Sequence, residues 1–338
     1  MGFNFDDLLN EEVKFEGGLN GKKIMVYGSN NLGKTNQCSK LADGKVLLIA
    51  TESGASAVKC PKVPCMDWRT FKEVVNDMTK SSNVAKRLEQ VRVIVVDTAE
   101  NLVALSERAI CNQFGVSDLS EITGKQNGYK LARTDFETQI NKLCSVGYCV
   151  VFIAHEERVT RTDELTGEEY VYIQPKGTSN EKGSMRMLRD LCDFTIYLKS
   201  NGVDRETYKV IPSSAICVET KNVFARSRFD MVSMITPFTA KGLENAIEEA
   251  VKRSAETEDV DITDYFSNKK KGYGKDDYVE IIKPLVTKLW SICPDDVNET
   301  IMKYLGKKVT DATEEDLVAL DNIYNALVTK CTLLGIEY

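Results

Sequence analysis

Four short apolar runs mark the first half of the chain: KIMVY at 23–27, VLLIA at 46–50, VRVIVV at 91–96 and CVVFIA at 149–154. Each is continuous and rich in Val and Ile, the pattern of strands buried on both faces of a parallel sheet. Between them, at 69–78, 102–114 and 131–143, apolar residues recur every three or four positions, which predicts amphipathic helices. The alternation predicts an α/β domain with helices on both faces of a central, mostly parallel sheet. After residue 193 the pattern changes. Runs at 194–198, 207–211 and 215–219, separated by SNGVD and PSS, predict late strands added antiparallel to the sheet. A helix is expected over 242–253. Residues 254–276 are polar, with a KKK run at 269–271 and glycines at 272 and 274, and read as a flexible linker. Stretches at 278–292, 297–305 and 314–334 predict a small helical unit, its last helix capped by Thr313 and Asp316. The expected organisation is an N-terminal segment (1–20), an α/β core (21–253), the linker (254–276) and an acidic helical C-terminal domain (277–338).

Composition and charge narrow the class. The hydrophobic fraction of 42% and charged fraction of 28% over 338 residues are those of a globular chain. No apolar run approaches the ~18 residues that span a bilayer. The acidic start MGFNFDDLLNEE lacks the apolar core of a secretion signal. A soluble, cytoplasmic protein without a membrane partner is expected. The net charge of −7 is uneven: residues 256–338 hold 10 Lys, no Arg and 17 acidic residues, so the first 255 are neutral. Overall acidity therefore does not exclude a nucleic-acid partner, which answers to local basic surface. Ten cysteines form no C-x-x-C pair and His155 is the single histidine. Zinc chemistry is thus not indicated, and reduced, mostly buried cysteines are expected.

The segment that follows the first apolar run is Gly28-Ser29-Asn30-Asn31-Leu32-Gly33-Lys34-Thr35, which fits G-x-x-x-x-G-K-[ST]. Two glycines let such a loop wrap so that backbone N–H groups point inward at phosphate oxygens. A lysine reaches the β and γ phosphates, and a hydroxyl ligates Mg²⁺. The loop, Lys34, Thr35 and the adjoining Asn36 are therefore expected to bind the nucleotide, with a helix over 35–41. Asp97 ends the third apolar run and is placed to bind Mg²⁺ with Thr35. Glu52, just past the second run, is placed to activate water. His155 ends the fourth run; it reads either as a contact to the γ-phosphate or as a satisfied sheet-edge histidine.

Gly28 to Thr35, then Glu52, Asp97 and His155, is an order that resembles the RecA-like P-loop ATPases, closest to the small phage-encoded members that act with recombination or single-strand annealing systems. The resemblance covers roughly residues 20–235 and rests on motif order and spacing. It implies ATP and Mg²⁺ as cofactors, hydrolysis to ADP and phosphate, Glu52 as the water-activating base and His155 as γ-phosphate sensor, where the family usually has Gln. It further implies two mobile DNA-binding loops, here 115–128 and 156–182. About 20 residues precede the loop, so no N-terminal oligomerisation domain is expected. Arg226 and Arg228, in FARSRF, are similar in spacing to the Lys-x-Arg with which DnaB-type helicases reach a neighbour's γ-phosphate. ATP would then lie at subunit interfaces of a homo-oligomeric ring or filament.

The segment 156–192 carries Arg158, Lys176, Lys182 and Arg186, with Tyr170 and Tyr172. Basic residues neutralise phosphates and aromatic rings stack unpaired bases. These six are the candidate contacts to single-stranded DNA, although acidic residues dilute the charge and a solvated β-hairpin is the plainer reading. The KKK run with Tyr273 is a second candidate patch, for which a solvated charge run is the favoured reading. The function expected is a Mg·ATP-dependent ATPase acting on single-stranded DNA in recombination or annealing, beside a single-strand binding or annealing protein. Two rivals are a nucleotide-gated interaction protein, such as a helicase loader, with little DNA affinity, and a small-molecule kinase, for which no lid or acceptor site is evident.

Overall fold

In the computed structural model the described residues are 13–52, 58–123, 127–264, 275–313 and 316–336. The start of the N-terminal segment, residues 124–126 of the first candidate loop, and the KKK run with Tyr273 lie outside them. The chain divides between two units, Lys14–Asn268 and one that includes residues 275–336.

The apolar runs become neighbouring strands. β2 (Lys23–Gly28), β3 (Val46–Ala50), β5 (Val93–Asp97) and β6 (Cys149–Ala154) are joined by β4 (Lys62–Pro64) and β9 (Phe194–Lys199). All six are parallel, in the order β9-β2-β6-β5-β3-β4. The run at 194–198, expected to be antiparallel, thus extends the parallel sheet. The antiparallel additions are β10 (Ser214–Ile216) and β11 (Arg226–Ser227) on β9, and β12 (Met234–Ile235) on β10.

One face of the sheet is covered by α2 (Trp68–Thr79), α3 (Ser81–Gln90), α4 (Ala99–Phe114), α5 (Gly128–Ser145) and α6 (Ser184–Leu191). Trp68 stacks on Phe71 and Phe136, with ring centroids 5.0 and 5.4 Å apart, and its Nε1 donates to Asp135. Emptying such a position, as in Phe136→Ala, costs about 3–5 kcal/mol. The other face packs on the short α1 (Lys34–Cys38) and on α7 (Ala240–Glu258) through Leu243, Ile247 and Ala250. None of the ten cysteines is in a disulfide, and eight of them are buried.

Local chemistry explains the remaining differences from expectation. Residues 207–211 form no strand, because the Asp204 carboxylate accepts the N–H groups of Glu206 and Thr207 and the Thr207 hydroxyl, which holds a turn instead. The stretch 254–263 is ordered rather than linker: α7 runs to Glu258, and β13 (Asp261–Thr263) pairs with β1 (Lys14–Glu16). The segment 156–175 is the hairpin of the plainer reading, β7 (Glu156–Thr162) and β8 (Glu169–Pro175). α1 is shorter than the helix expected over 35–41.

The second unit contains α8 (Lys275–Trp290), α9 (Pro294–Tyr304) and α10 (Leu317–Leu333) around Ile282, Leu289, Val297, Leu320, Ile323 and Leu327. The Asp316 carboxylate accepts from the Thr313 N–H and hydroxyl at 2.7 and 2.9 Å. Among the described residues no helix is long and apolar enough to cross a membrane.

Candidate functional site

Strand order brings the chemistry together. β6 lies between β2 and β5, pairing Ala154 with Tyr27 and Ile153 with Asp97. His155 therefore leaves the sheet between the phosphate loop and Asp97. β3 lies on the far side of β5, pairing Ala50 with Asp97, which delivers Glu52 to the same edge. A cleft of about 620 Å³ results, lined by residues 30–36, Glu52, Asp97, Thr98 and His155.

The loop's glycines are required by shape. Gly28 has φ +151°, and a Cβ there would lie 2.7 Å from the Leu198 carbonyl oxygen; Gly33 has φ +82°. Lys34 is buried, and its Nζ donates to the carbonyls of Gly28 and Ser29 at 2.7 and 2.6 Å. Burial lowers its pKa, and the carboxylates of Asp97, Glu100 and Glu156 partly restore it. The lysine thus sits folded into its own loop, poised to exchange two carbonyls for phosphate oxygens.

Thr35 Oγ1 donates to Asp97 Oδ2 at 2.7 Å. Burial pushes the Asp97 carboxyl up, opposed by the Thr35 bond. A hydroxyl and a carboxylate in contact are hard oxygen donors suited to Mg²⁺. Among the described residues no cluster of three or more His, Cys, Asp or Glu could hold a metal alone. A cation at this pair would complete its shell with phosphate and water, as Mg²⁺ does. Glu52 accepts from Asn101 Nδ2 at 2.8 Å and Thr98 Oγ1 at 3.2 Å, so its carboxylate is oriented along the cleft wall. His155 Nδ1 is 2.5 Å from Glu100 Oε1.

Glu100 and a second cavity went unrecognised in the sequence. The cavity, of about 420 Å³, adjoins the loop and is bordered by Gln37, Val203, Val210, Ile211, Pro212 and Phe238. Ser213 Oγ donates to the Leu32 carbonyl at 2.9 Å, tying this wall to the loop. The only available signal for it was a cluster of apolar residues around a turn.

Arg226 and Arg228 are not at this cleft. β11 pairs with Phe194 and Thr195, at the start of β9, whereas the loop adjoins Leu198, about 10 Å further along the strand. Arg226 donates to the Asp190 carbonyl and Arg228 pairs with Asp193.

The candidate nucleic-acid residues divide. Tyr172 is 2% exposed, its hydroxyl donates to Glu219, and the Arg161 guanidinium covers its ring at 3.5 Å. It is closed to a stacking base, which corrects the expectation. Tyr170 is half-buried beside Lys221. Arg158 pairs with Glu156 and Arg186 with Glu181. Lys176 and Lys182 are exposed, with no side-chain ion pair among the described residues. The hairpin is also anchored: Asn222 Nδ2 donates to the Val171 carbonyl, and Ile173 exchanges main-chain bonds with Asn222 and Phe224. The mobility expected of 156–182 is therefore not what these contacts describe.

A G-x-x-x-x-G-K-T loop between a central parallel strand and a helix, with an aspartate delivered from a strand two places away, defines a P-loop nucleotide-binding domain. Residues 20–229 match the AAA domain family, and the chain belongs to it. Over 335 residues it is 35% identical to the SPbeta prophage-derived uncharacterized protein YorG of Bacillus subtilis (strain 168), covering 95% of this chain and 98% of that protein. That similarity continues past the AAA match into the helical C-terminal unit.

Proposed function

We propose that the chain hydrolyses ATP to ADP and phosphate in the cleft beside the phosphate loop, and uses the cycle to act on single-stranded DNA in phage recombination or annealing. The observation that carries the hydrolysis reading is the convergence of Lys34, Thr35, Asp97, Glu52 and His155 at one sheet edge. Similarity to a prophage protein supports the phage setting.

Lys34 gives up the Gly28 and Ser29 carbonyls for the β and γ phosphates. Thr35 and Asp97 would hold Mg²⁺, which would supply charge screening on the phosphates. Glu52 accepts a proton from water as its oxygen bonds to the γ-phosphorus and the bond from that phosphorus to the bridging oxygen breaks. The apolar second cavity suits a nucleobase. His155 contacts the γ-phosphoryl group; its own carbonyl accepts from Lys176 N–H at 2.9 Å, at the closing pair of the hairpin, Glu156 with Pro175. Loss of the γ-phosphate is thereby felt where Lys176 enters. Arg226 and Arg228 lie too far along β9 to serve their own cleft, which supports a role across a subunit interface in a ring or filament.

A second reading, a nucleotide-gated interaction protein, is favoured by the pairing of Arg158 and Arg186 and by the closure of Tyr172. Phosphate release measured with and without single-stranded DNA separates the two. Stimulation supports the DNA-acting ATPase; DNA-independent turnover with no DNA binding supports the interaction protein.

A further inference from the structure

Glu100 lies in the first turn of α4, three residues beyond Asp97 and outside the loop motif. One oxygen, Oε1, meets two groups of one residue: the His155 ring at Nδ1, 2.5 Å away, and the His155 main-chain N–H, 3.3 Å away. Its other oxygen is buried and has no hydrogen-bond partner among the described residues. Burying a half-satisfied carboxylate is unfavourable, so this is a costly clamp for a side chain that needed only packing. What the clamp does to the ring is specific. A carboxylate accepts only, so the nitrogen facing it carries the proton. Nε2 is then the free nitrogen, on a residue that lines the nucleotide cleft.

We propose that Glu100 is a positioning residue for His155: it fixes the proton on Nδ1, sets the tilt of the ring and presents Nε2 to the γ-phosphoryl end of the cleft. This rests on the reading of His155 as the γ-phosphate contact. Because the same oxygen holds ring and main chain, the imidazole cannot shift toward a phosphate without pulling on the backbone that leads into β7. Glu100 thus joins the cleft to the hairpin through a single side chain. Carboxylates that orient an imidazole at a metal are worth roughly 10–100-fold in function, and a similar loss is expected here.

His155 is the single histidine of the chain, so its ring nitrogens are read without ambiguity by NMR on the full-length protein labelled with ¹⁵N-histidine. The nucleotide-free wild type should show the proton on Nδ1, in a hydrogen bond. Glu100→Gln should alter that signature, as should Glu100→Asp, which shortens the arm by one methylene and serves if the amide disturbs the fold. Turnover in Glu100→Gln should fall roughly 10–100-fold with the KM for ATP changed by less than about threefold. In a His155→Gln background the same change should cost nothing further, because there is no ring left to orient. A wild-type ring protonated on Nε2 alone, ring signals indifferent to both Glu100 variants, or additive losses in the double mutant would overturn the assignment. A wild type that hydrolyses no ATP while its ring still responds to Glu100 would remove the ATPase reading and leave the positioning assignment supported.

Discussion

The phosphate loop and the β7–β8 hairpin begin at the same edge of the sheet, one after β2 and the other after β6, and treat their charged groups in opposite ways. In the loop, Lys34 is held by two main-chain carbonyls and no ion pair among the described residues, so an incoming phosphate replaces neutral acceptors. At the hairpin carboxylates already hold two of the cations: Arg158 has Glu156, and Lys221, from outside the hairpin, bonds Asp163 at the tip. A count of basic residues describes the first region well and overstates the second. What counts for a polyanion is charge whose partner is water or a neutral group, since a paired arginine must first leave its carboxylate.

The contrast can be broken most sharply at the loop. Lys34→Ala should abolish turnover and remove the thermal upshift that saturating nucleotide confers, worth about 2.7 kcal/mol at 100 times Kd; a variant that keeps both would show the lysine dispensable. Next come the arginines beyond the cleft. Alanine at Arg226 or Arg228 should cut turnover by ~10³–10⁵ if they act across an interface, without unfolding the subunit. Mixing with Lys34→Ala subunits should restore part of the activity, and absence of rescue in verified mixed oligomers would exclude action in trans. Glu52→Gln should bind nucleotide normally and lose about 10²–10⁴ in rate; unchanged hydrolysis would remove Glu52 from the chemistry. The smallest effect belongs to the hairpin side. Neutralising Lys176 and Lys182 together should lower the salt dependence of single-strand binding by about 1.4 log units per log unit, while Arg158→Ala and Arg186→Ala, already paired, should change it less. Equal effects from paired and unpaired cations would collapse the distinction between the two regions.

Much of this was legible in the chain itself, for a physical reason. Continuous Val/Ile runs admit few structures other than buried parallel strands. The spacing of Gly28, Gly33, Lys34 and Thr35 encodes a backbone shape with a fixed use, and Glu52, Asp97 and His155 follow because each ends or follows such a run. What escaped notice depends on register and strand order. Arg161 reaches Tyr172 only because Val159 pairs with Tyr172 across the hairpin, which places Arg161 diagonal to that ring. Glu100 meets His155 only because β6 is inserted beside β5. α3, with Val84 and Leu88 as its apolar contacts, offered too little periodicity to be seen. At 207–211 the apolar pattern was present, and a single carboxylate, Asp204, set the turn.

The most direct test of the central claim is phosphate release by the full-length chain with Mg·ATP, measured alone and with single-stranded DNA. The account predicts release that disappears in Lys34→Ala, persists weakly in Glu52→Gln and rises when single strands are added. Binding of ATP with no phosphate released, with or without DNA, would contradict it.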